Sequence, residues 1–275
     1  MSRWTIEEPA TLDFDGVVAL KATLIAGSIS VLASGDRPSI QIAAIDGPPL
    51  VITHEAGMLS VTHERIWEGM LGWLQRQKVR ADITVTVPRE CPVTINLVSA
   101  DAVIAGLTAR ASIKSATGDV TLDGVVGDID ANTVSGAIEA QGLDGKVAFT
   151  SVSGDLALAG GSIDRLAART VSGRIAADVD LAGTSRVEVN TVTGEVTLRV
   201  PDSISAEVNL NSAAGPIDTS FPGLDRQDRP VGRSLGGTIG DGSGRLSVTT
   251  VSGGVTLLSR HEDDAPEIDA SGMEN

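Results

Sequence analysis

The sequence predicts an all-β protein, most of it wound as a single-stranded β-solenoid with rungs of roughly 18–21 residues. Three observations lead there. A short motif recurs seven times, apolar residues alternate with period two inside the copies, and the composition favours small and β-branched side chains. The 275 residues include 31 Gly but only three Trp, three Phe and no Tyr. Val, Ile, Leu and Ala carry the apolar content, which suits narrow repetitive β-structure better than a bulky globular core.

The motif reads Ser/Thr-x-Ser/Thr-Gly-x-Val/Ile/Leu. Its copies include Ser115-Ala116-Thr117-Gly118-Asp119-Val120, Thr133-Val134-Ser135-Gly136-Ala137-Ile138, Ser151-Val152-Ser153-Gly154-Asp155-Leu156 and Thr170-Val171-Ser172-Gly173-Arg174-Ile175. Three more are centred on Gly194, Gly215 and Gly253, and Ser99-Ala100-Asp101-Ala102 is a degenerate first copy. The glycines advance by 18, 18, 19, 21 and 21 residues before a gap of 38. Val134, Ile138 and Ala140 share a parity, as do Val152, Leu156 and Leu158, so each copy predicts a strand with one buried face. The glycine shares that inward parity and marks a bend or a close backbone approach.

A second strand precedes each motif, as in Val147 and Phe149 or Val187 and Val189. Its last apolar residue lies three positions before the motif's first, as from Phe149 to Val152, so a corner separates the two strands. One such unit cannot bury its own apolar face, whereas stacked units form a continuous core. Stacking sets equivalent residues about 4.8 Å apart, so the repeated Ser and Thr could bond along a column or to the corner backbone. An antiparallel meander would need turn pairs throughout. Asp123-Gly124 and Asp144-Gly145 fit, but later repeats lack them, and the solenoid is favoured.

Residues 1–98 do not follow the repeat and read as hairpins forming the solenoid's irregular N-terminal part: Gly16 to Ala33, Ser39 to Ile45, Leu50 to Glu55, Met58 to His63, and Val79 to Val87. An insertion at 65–78 places Trp67, Met70, Leu71 and Leu74 at helical spacing, with Trp73 beside them and Arg76, Lys78 and Arg80 flanking. It predicts a cap over the solenoid's open end or a partner-docking or membrane-surface element. The repeat region is 99–258. Within it, 222–244 is a Gly-rich insertion, read as a surface loop because a strand and not a helix follows Gly236 to Gly244. The acidic tail 259–275 is expected to be disordered.

The net charge of −15 argues against nucleic acid as a partner. Cys91 is the only cysteine, which excludes an intrachain disulfide and a Cys-based zinc site. The N-terminal residues carry no apolar signal core and no run spans a bilayer, so a cytoplasmic location is expected. His54 and His63 pair across the Ala56-Gly57 turn with Leu59 and Leu50, about 13 Å apart along one face, too far to share a metal. Neither metal, cofactor nor catalytic residues are expected. Asp119 and Asp155, two rungs or about 9.6 Å apart, approach inverting-glycosidase geometry. Asp155, Arg174 and Glu195 nevertheless read as a mutually neutralising surface ladder, and the repeat strands offer no aromatic platform for a sugar.

The seven in-register motifs behind an irregular β segment resemble the bacterial putative-adhesin family of β-strand repeats, a domain of unknown function, from about Val17 to Leu258. The resemblance implies a right-handed β-solenoid and no catalytic residues. A non-enzymatic scaffold or interaction module is therefore expected, with an unknown macromolecule as partner, a protein before any other, and end-to-end stacking as a route to homo-oligomers. A carbohydrate-active or carbohydrate-binding solenoid using outward carboxylates is the alternative.

Overall fold

The computed structural model describes residues 2–63, 79–228 and 232–261, and all regular structure in them is β. The N-terminal strands are β1 (Ser2–Ile6), β2 (Ala10–Asp13), β3 (Ala19–Ser34), β4 (Ser39–Asp46), β5 (Leu50–Glu55), β6 (Met58–His63) and β7 (Arg80–Pro88). The repeats form β8 (Val93–Ala105), β9 (Ala111–Ser115), β10 (Val120–Asp123), β11 (Val126–Thr133), β12 (Ile138–Gln141), β13 (Asp144–Ser151), β14 (Leu156–Thr170), β15 (Ile175–Thr191) and β16 (Val196–Pro201). The remainder is β17 (Ala206–Ser212), β18 (Ile217–Thr219), β19 (Asp225–Asp228), β20 (Arg233–Ile239), β21 (Gly244–Thr250) and β22 (Val255–Arg260).

These strands build two parallel walls, giving a solenoid-like fold. The first wall stacks β3, β8, β9, β11, β13, β14 and β15 in order. The second stacks β3, β8, β10, β12, β14, β15 and β16, with Val120 beside both Ala102 and Ile138. The core lies between the walls. One of its columns runs Ile95, Ile113, Ala131, Phe149, Ala168 and Val189. Phe149 is buried between two alanines, so a large ring and small neighbours share the width of one layer. Leu107, Val125, Leu143 and Ile163 are buried at the return corner.

The motif makes the other corner. A Cβ built on Gly154 would lie 2.2 Å from the carbonyl oxygen of Gly136, and one on Gly173 would lie 1.9 Å from that of Gly154. None of the seven motif glycines has a positive φ. Glycine is needed there because each rung's backbone crosses the one below in the space a side chain would take. The buried hydroxyl three residues earlier accepts the glycine N–H: Gly136 to Thr133 at 3.0 Å, Gly154 to Ser151 at 2.6 Å and Gly173 to Thr170 at 3.1 Å. The hydroxyl just before the glycine instead donates to a carbonyl of the preceding rung, as from Ser153 to Val134 at 3.3 Å.

This corner corrects the expected parity. The inward side chains are Thr133 and Ser151, while Val134 and Val152 are 52% and 51% exposed. Turning the hydroxyl inward to receive the glycine amide throws the next residue out, and the inward parity resumes only at the glycine.

The last repeats stack out of sequence order. β21 lies between β15 and β17, and β22 lies between β16 and β18. The glycine column runs the same way: a Cβ on Gly253 would meet Gly194, and one on Gly215 would meet Gly253. Residues 222–244, expected as a surface loop, contain β19 and β20. These form an antiparallel hairpin whose inner strand pairs with β17 at the end of the first wall. The chain crosses back over the start of β17 through Gly240-Asp241-Gly242-Ser243, then enters the slot as β21 and β22. Ser259 and Arg260, assigned to the tail on sequence, complete β22, and residues 262–275 lie outside the described residues.

At the N-terminal end, Gly16 to Ala33 is no hairpin. β3 within it is a complete rung that crosses both walls. Antiparallel strands finish both walls there: β5 and β1 beyond β6, and β4 and β2 beyond β7. Edge-to-face packing of Trp4 on Phe14 at 5.3 Å, and of Phe14 on His54 at 5.8 Å, ties the outer strands together. The expected pairing of His54 with Leu59 and His63 with Leu50 is present. The 65–78 insertion with Trp67, Met70, Leu71, Trp73 and Leu74 lies outside the described residues.

His63 is buried. Its Nδ1 donates to the Pro48 carbonyl at 3.3 Å, while Nε2 is buried without a partner among the described residues. Burial holds its pKa below the ordinary value.

Three outcomes follow from this architecture. Gly154→Ala should cost about 3 kcal/mol or more in urea unfolding, because the clash is with backbone, whereas Val152→Ser should stay within about 0.5 kcal/mol of the parent. Thr170→Val, which keeps the shape and strands the Gly173 amide, should cost about 1–3 kcal/mol by the same measurement. The unfolded chain takes up a proton on His63 more readily than the folded one. Stability should therefore be steady above pH of about 6.5 and decline as the pH falls below it, and His63→Leu should flatten that decline.

Candidate functional site

The outward polar side chains at the motif corner are engaged in holding rungs together. The Asp101 carboxylate accepts the Asp119 amide at 3.0 Å, Asp119 accepts the Ala137 amide at 2.8 Å, and Asp155 accepts the Arg174 amide at 2.7 Å. Arg174 and Glu195 form an exposed ion pair at 3.8 Å. Each carboxylate of the Asp119–Asp155 pair thus caps the amide of the following rung, and Ala137 sits between them in the column. Among the described residues, no group of three His, Cys, Asp or Glu is placed to hold a metal ion. Burial pushes the Cys91 thiol up to about 11, so it keeps its proton at neutral pH.

The outer surface of the second wall carries a groove of about 610 Å³. Its floor is outward-facing Ala157, Ala159 and Ala176 on β14 and β15. The rungs on either side carry larger side chains at the equivalent positions, Glu139 and Gln141 on β12 and Thr197 on β16. The concavity follows from side-chain size: small residues on two neighbouring rungs leave a trough between taller rows. Val103 and Leu258 add apolar surface to the lining. Asp123 and Glu139 put acidic groups on one side. The other side is fixed by Arg199 on Asp178 at 3.3 Å, with Arg260 on the same Asp178 at 2.6 Å and on Asp180.

A second apolar feature runs along the motif corner, where Val134, Val152, Val171, Val192 and Val251 are all exposed. It is convex and follows from the flipped corner parity. No motif in the sequence singles out the groove residues. Their signal was present as small residues at the outward positions of consecutive copies, but it becomes readable only when the rungs are set in register.

The sequence-predicted residues divide accordingly. The motif glycines Gly118, Gly136, Gly154, Gly173, Gly194, Gly215 and Gly253 come together in one column, with the order of the last two exchanged. His54 and His63 lie on neighbouring strands of the N-terminal end, away from the groove. His261 pairs with Asp202 at 2.5 Å beyond the end of β22.

Among solved structures, the chain is similar to a putative cell adhesion protein from Clostridium sporogenes ATCC 15579, at 11% identity over 92% of this chain and 99% of that one, with a TM-score of 0.26. It is similar to a putative adhesin from Parabacteroides merdae ATCC 43184, at 11% identity over 92% and 96% of the two chains, with a TM-score of 0.30. A putative lipid binding protein from Parabacteroides distasonis ATCC 8503 matches at 11% identity over 92% and 97%, with a TM-score of 0.28. No curated protein matches the sequence. The model of one family, described as Toastrack DUF4097, matches residues 29–258, and the chain belongs to that family.

Proposed function

We propose that the protein is a non-enzymatic interaction module that holds an extended segment of a partner protein in the groove of its second wall. The observation that carries this reading is the alanine floor flanked by taller rows, with carboxylates on one side. An extended strand with small apolar side chains fits the trough, and a basic residue at one end would meet Asp123 and Glu139. The rigid parallel walls would hold that shape with little loss of entropy on binding. The winding is taken as right-handed, with rungs of roughly 18–21 residues, in keeping with the general hand of parallel β-crossovers. A carbohydrate-active reading draws no support from the carboxylates, since Asp119 and Asp155 each cap a backbone amide.

Antiparallel strands finish three of the four wall ends and the fourth is the three-residue β18, so little parallel edge is left to continue the stack, which argues for a monomer over end-to-end stacking. Sedimentation over a wide concentration range should then give one unchanging species. A mass that grows with concentration would restore stacking as an activity.

Peptides selected from a random displayed library on the intact protein should include extended sequences with a basic residue. Ala157→Arg, which fills the trough at an exposed position, should weaken them by at least about tenfold while leaving the melting temperature within a few degrees. Selected peptides that bind Ala157→Arg as tightly as the parent would remove the groove as the binding site.

A further inference from the structure

We infer that the outer surface of the first wall carries a second binding site, for a carboxylated or sulfated glycan, built on a column of basic side chains. Lys146, Arg165, Arg186 and Arg245 are far apart in sequence, yet β13, β14, β15 and β21 bring them into direct register on four successive rungs. Successive charges in such a column stand about 4.8 Å apart at the backbone. The site is on the other wall from the alanine groove and stands without it.

The column is uneven in a way that points to a ligand. At one end Lys146 has Asp128 at 3.7 Å, and at the other Arg245 has Glu207 at 2.9 Å. Arg165 and Arg186, between them, have no ion pair among the described residues. Like charges directly opposite one another on neighbouring strands repel, so folding alone gives no reason to set these two side by side. A groove of about 400 Å³ opens over Arg165, Arg186 and Arg245, with Asn190 and Ser247 in its lining. The one carboxylate there, Glu188, is occupied by Arg169 at 3.4 Å and by the Asn190 amide at 3.0 Å.

Two unpaired guanidinium forks in a row suit oxyanions held two oxygens at a time. A carboxylate or sulfate over Arg165 and Arg186 would relieve their repulsion, and neighbouring hydroxyls of the same chain would meet Asn190 and Ser247. The groove is lined from three successive rungs, β14, β15 and β21, and so runs along the stack, which fits an extended polymer. An acidic glycan is favoured over nucleic acid on two counts. The groove offers no aromatic ring on which a base could stack. A long nucleic acid would also run past the short basic column onto a protein of net charge −15. The missing aromatic platform matters less to an acidic glycan, whose anionic groups carry the attraction.

The test uses the full-length protein with a heparin-derived hexasaccharide and a polygalacturonate-derived hexasaccharide, set against neutral dextran and a twelve-nucleotide single-stranded DNA. Both acidic glycans should bind, dextran should not, and affinity should fall as salt rises from about 50 to 200 mM. The Arg165→Gln/Arg186→Gln double variant should lose at least about tenfold in affinity for the glycans. Its melting temperature should be unchanged or raised, because a repulsive pair has been removed, and that is the readout a structural role would reverse. Failure of the parent to bind either glycan would overturn the inference, as would equal affinity in the double variant. DNA bound as tightly as the glycans would assign the column to nucleic acid, and a lowered melting temperature would assign the arginines to the fold.

Discussion

The structure depends on one close approach, repeated rung after rung: the carbonyl of each motif glycine occupies the space where the next glycine's side chain would begin. Because the backbones cross there without side chains between them, the strands on either side of that corner keep one register across it, while the return side of β14 and β15 takes up the extra residues of the longer rungs as register shifts. The buried hydroxyl three residues earlier completes the arrangement by accepting the glycine amide, which would otherwise be an unpaired donor in a tight corner. The exposed valine between them is a consequence. A corner that turns its hydroxyl inward must turn the next residue outward.

From that register follows the division of the outer surface. At the corner, Ser, Thr and Asp side chains bond to the backbone of adjacent rungs, so they are part of the fold's own hydrogen bonding. Away from the corner, the outward positions are free to vary without disturbing the core. Variation there makes the alanine trough on one wall and the arginine column on the other. A solenoid of this kind separates architecture from recognition by position within the rung, and the two surface features lie where sequence is least constrained by packing.

Much of this was legible in the sequence because it is local. Period-two alternation marks the strands, and the glycine spacing gives the register from Gly118 to Gly194. The two parities of the corner are not legible in the sequence, because Val134 and Ile138 are both apolar and four apart, and nothing in hydropathy says that the chain flips between them. The groove and the basic column are products of register, since Arg165, Arg186 and Arg245 are neighbours only after stacking. The exchanged order of the last rungs left a fainter trace in strand length. β22 spans six residues, as does β16 beside it, while β18 spans three. A full-length strand pairs best inside the stack and a short one is least exposed at its edge, but copies with equivalent motifs do not reveal this to a reading that assumes sequence order.

That exchange ties the architecture to both recognition surfaces. The unit inserted last along the chain, β21 and β22, supplies Leu258 to the lining of the groove and Arg245 to the basic column. Its final strand is held by Arg260, which reaches across to Asp178 and Asp180 of β15, and Asp178 is itself part of the groove wall. The crossing turn that delivers the unit is fixed at Ser205 and Gly183, and Gly240 and Gly242 take up left-handed backbone there. Had the sixth and seventh copies stacked in sequence order, Glu207 and not Arg245 would stand next to Arg186, and the basic column would end one rung earlier. The order of the rungs therefore decides which charges are neighbours. The out-of-order insertion is the step by which an otherwise regular solenoid acquires its particular surface.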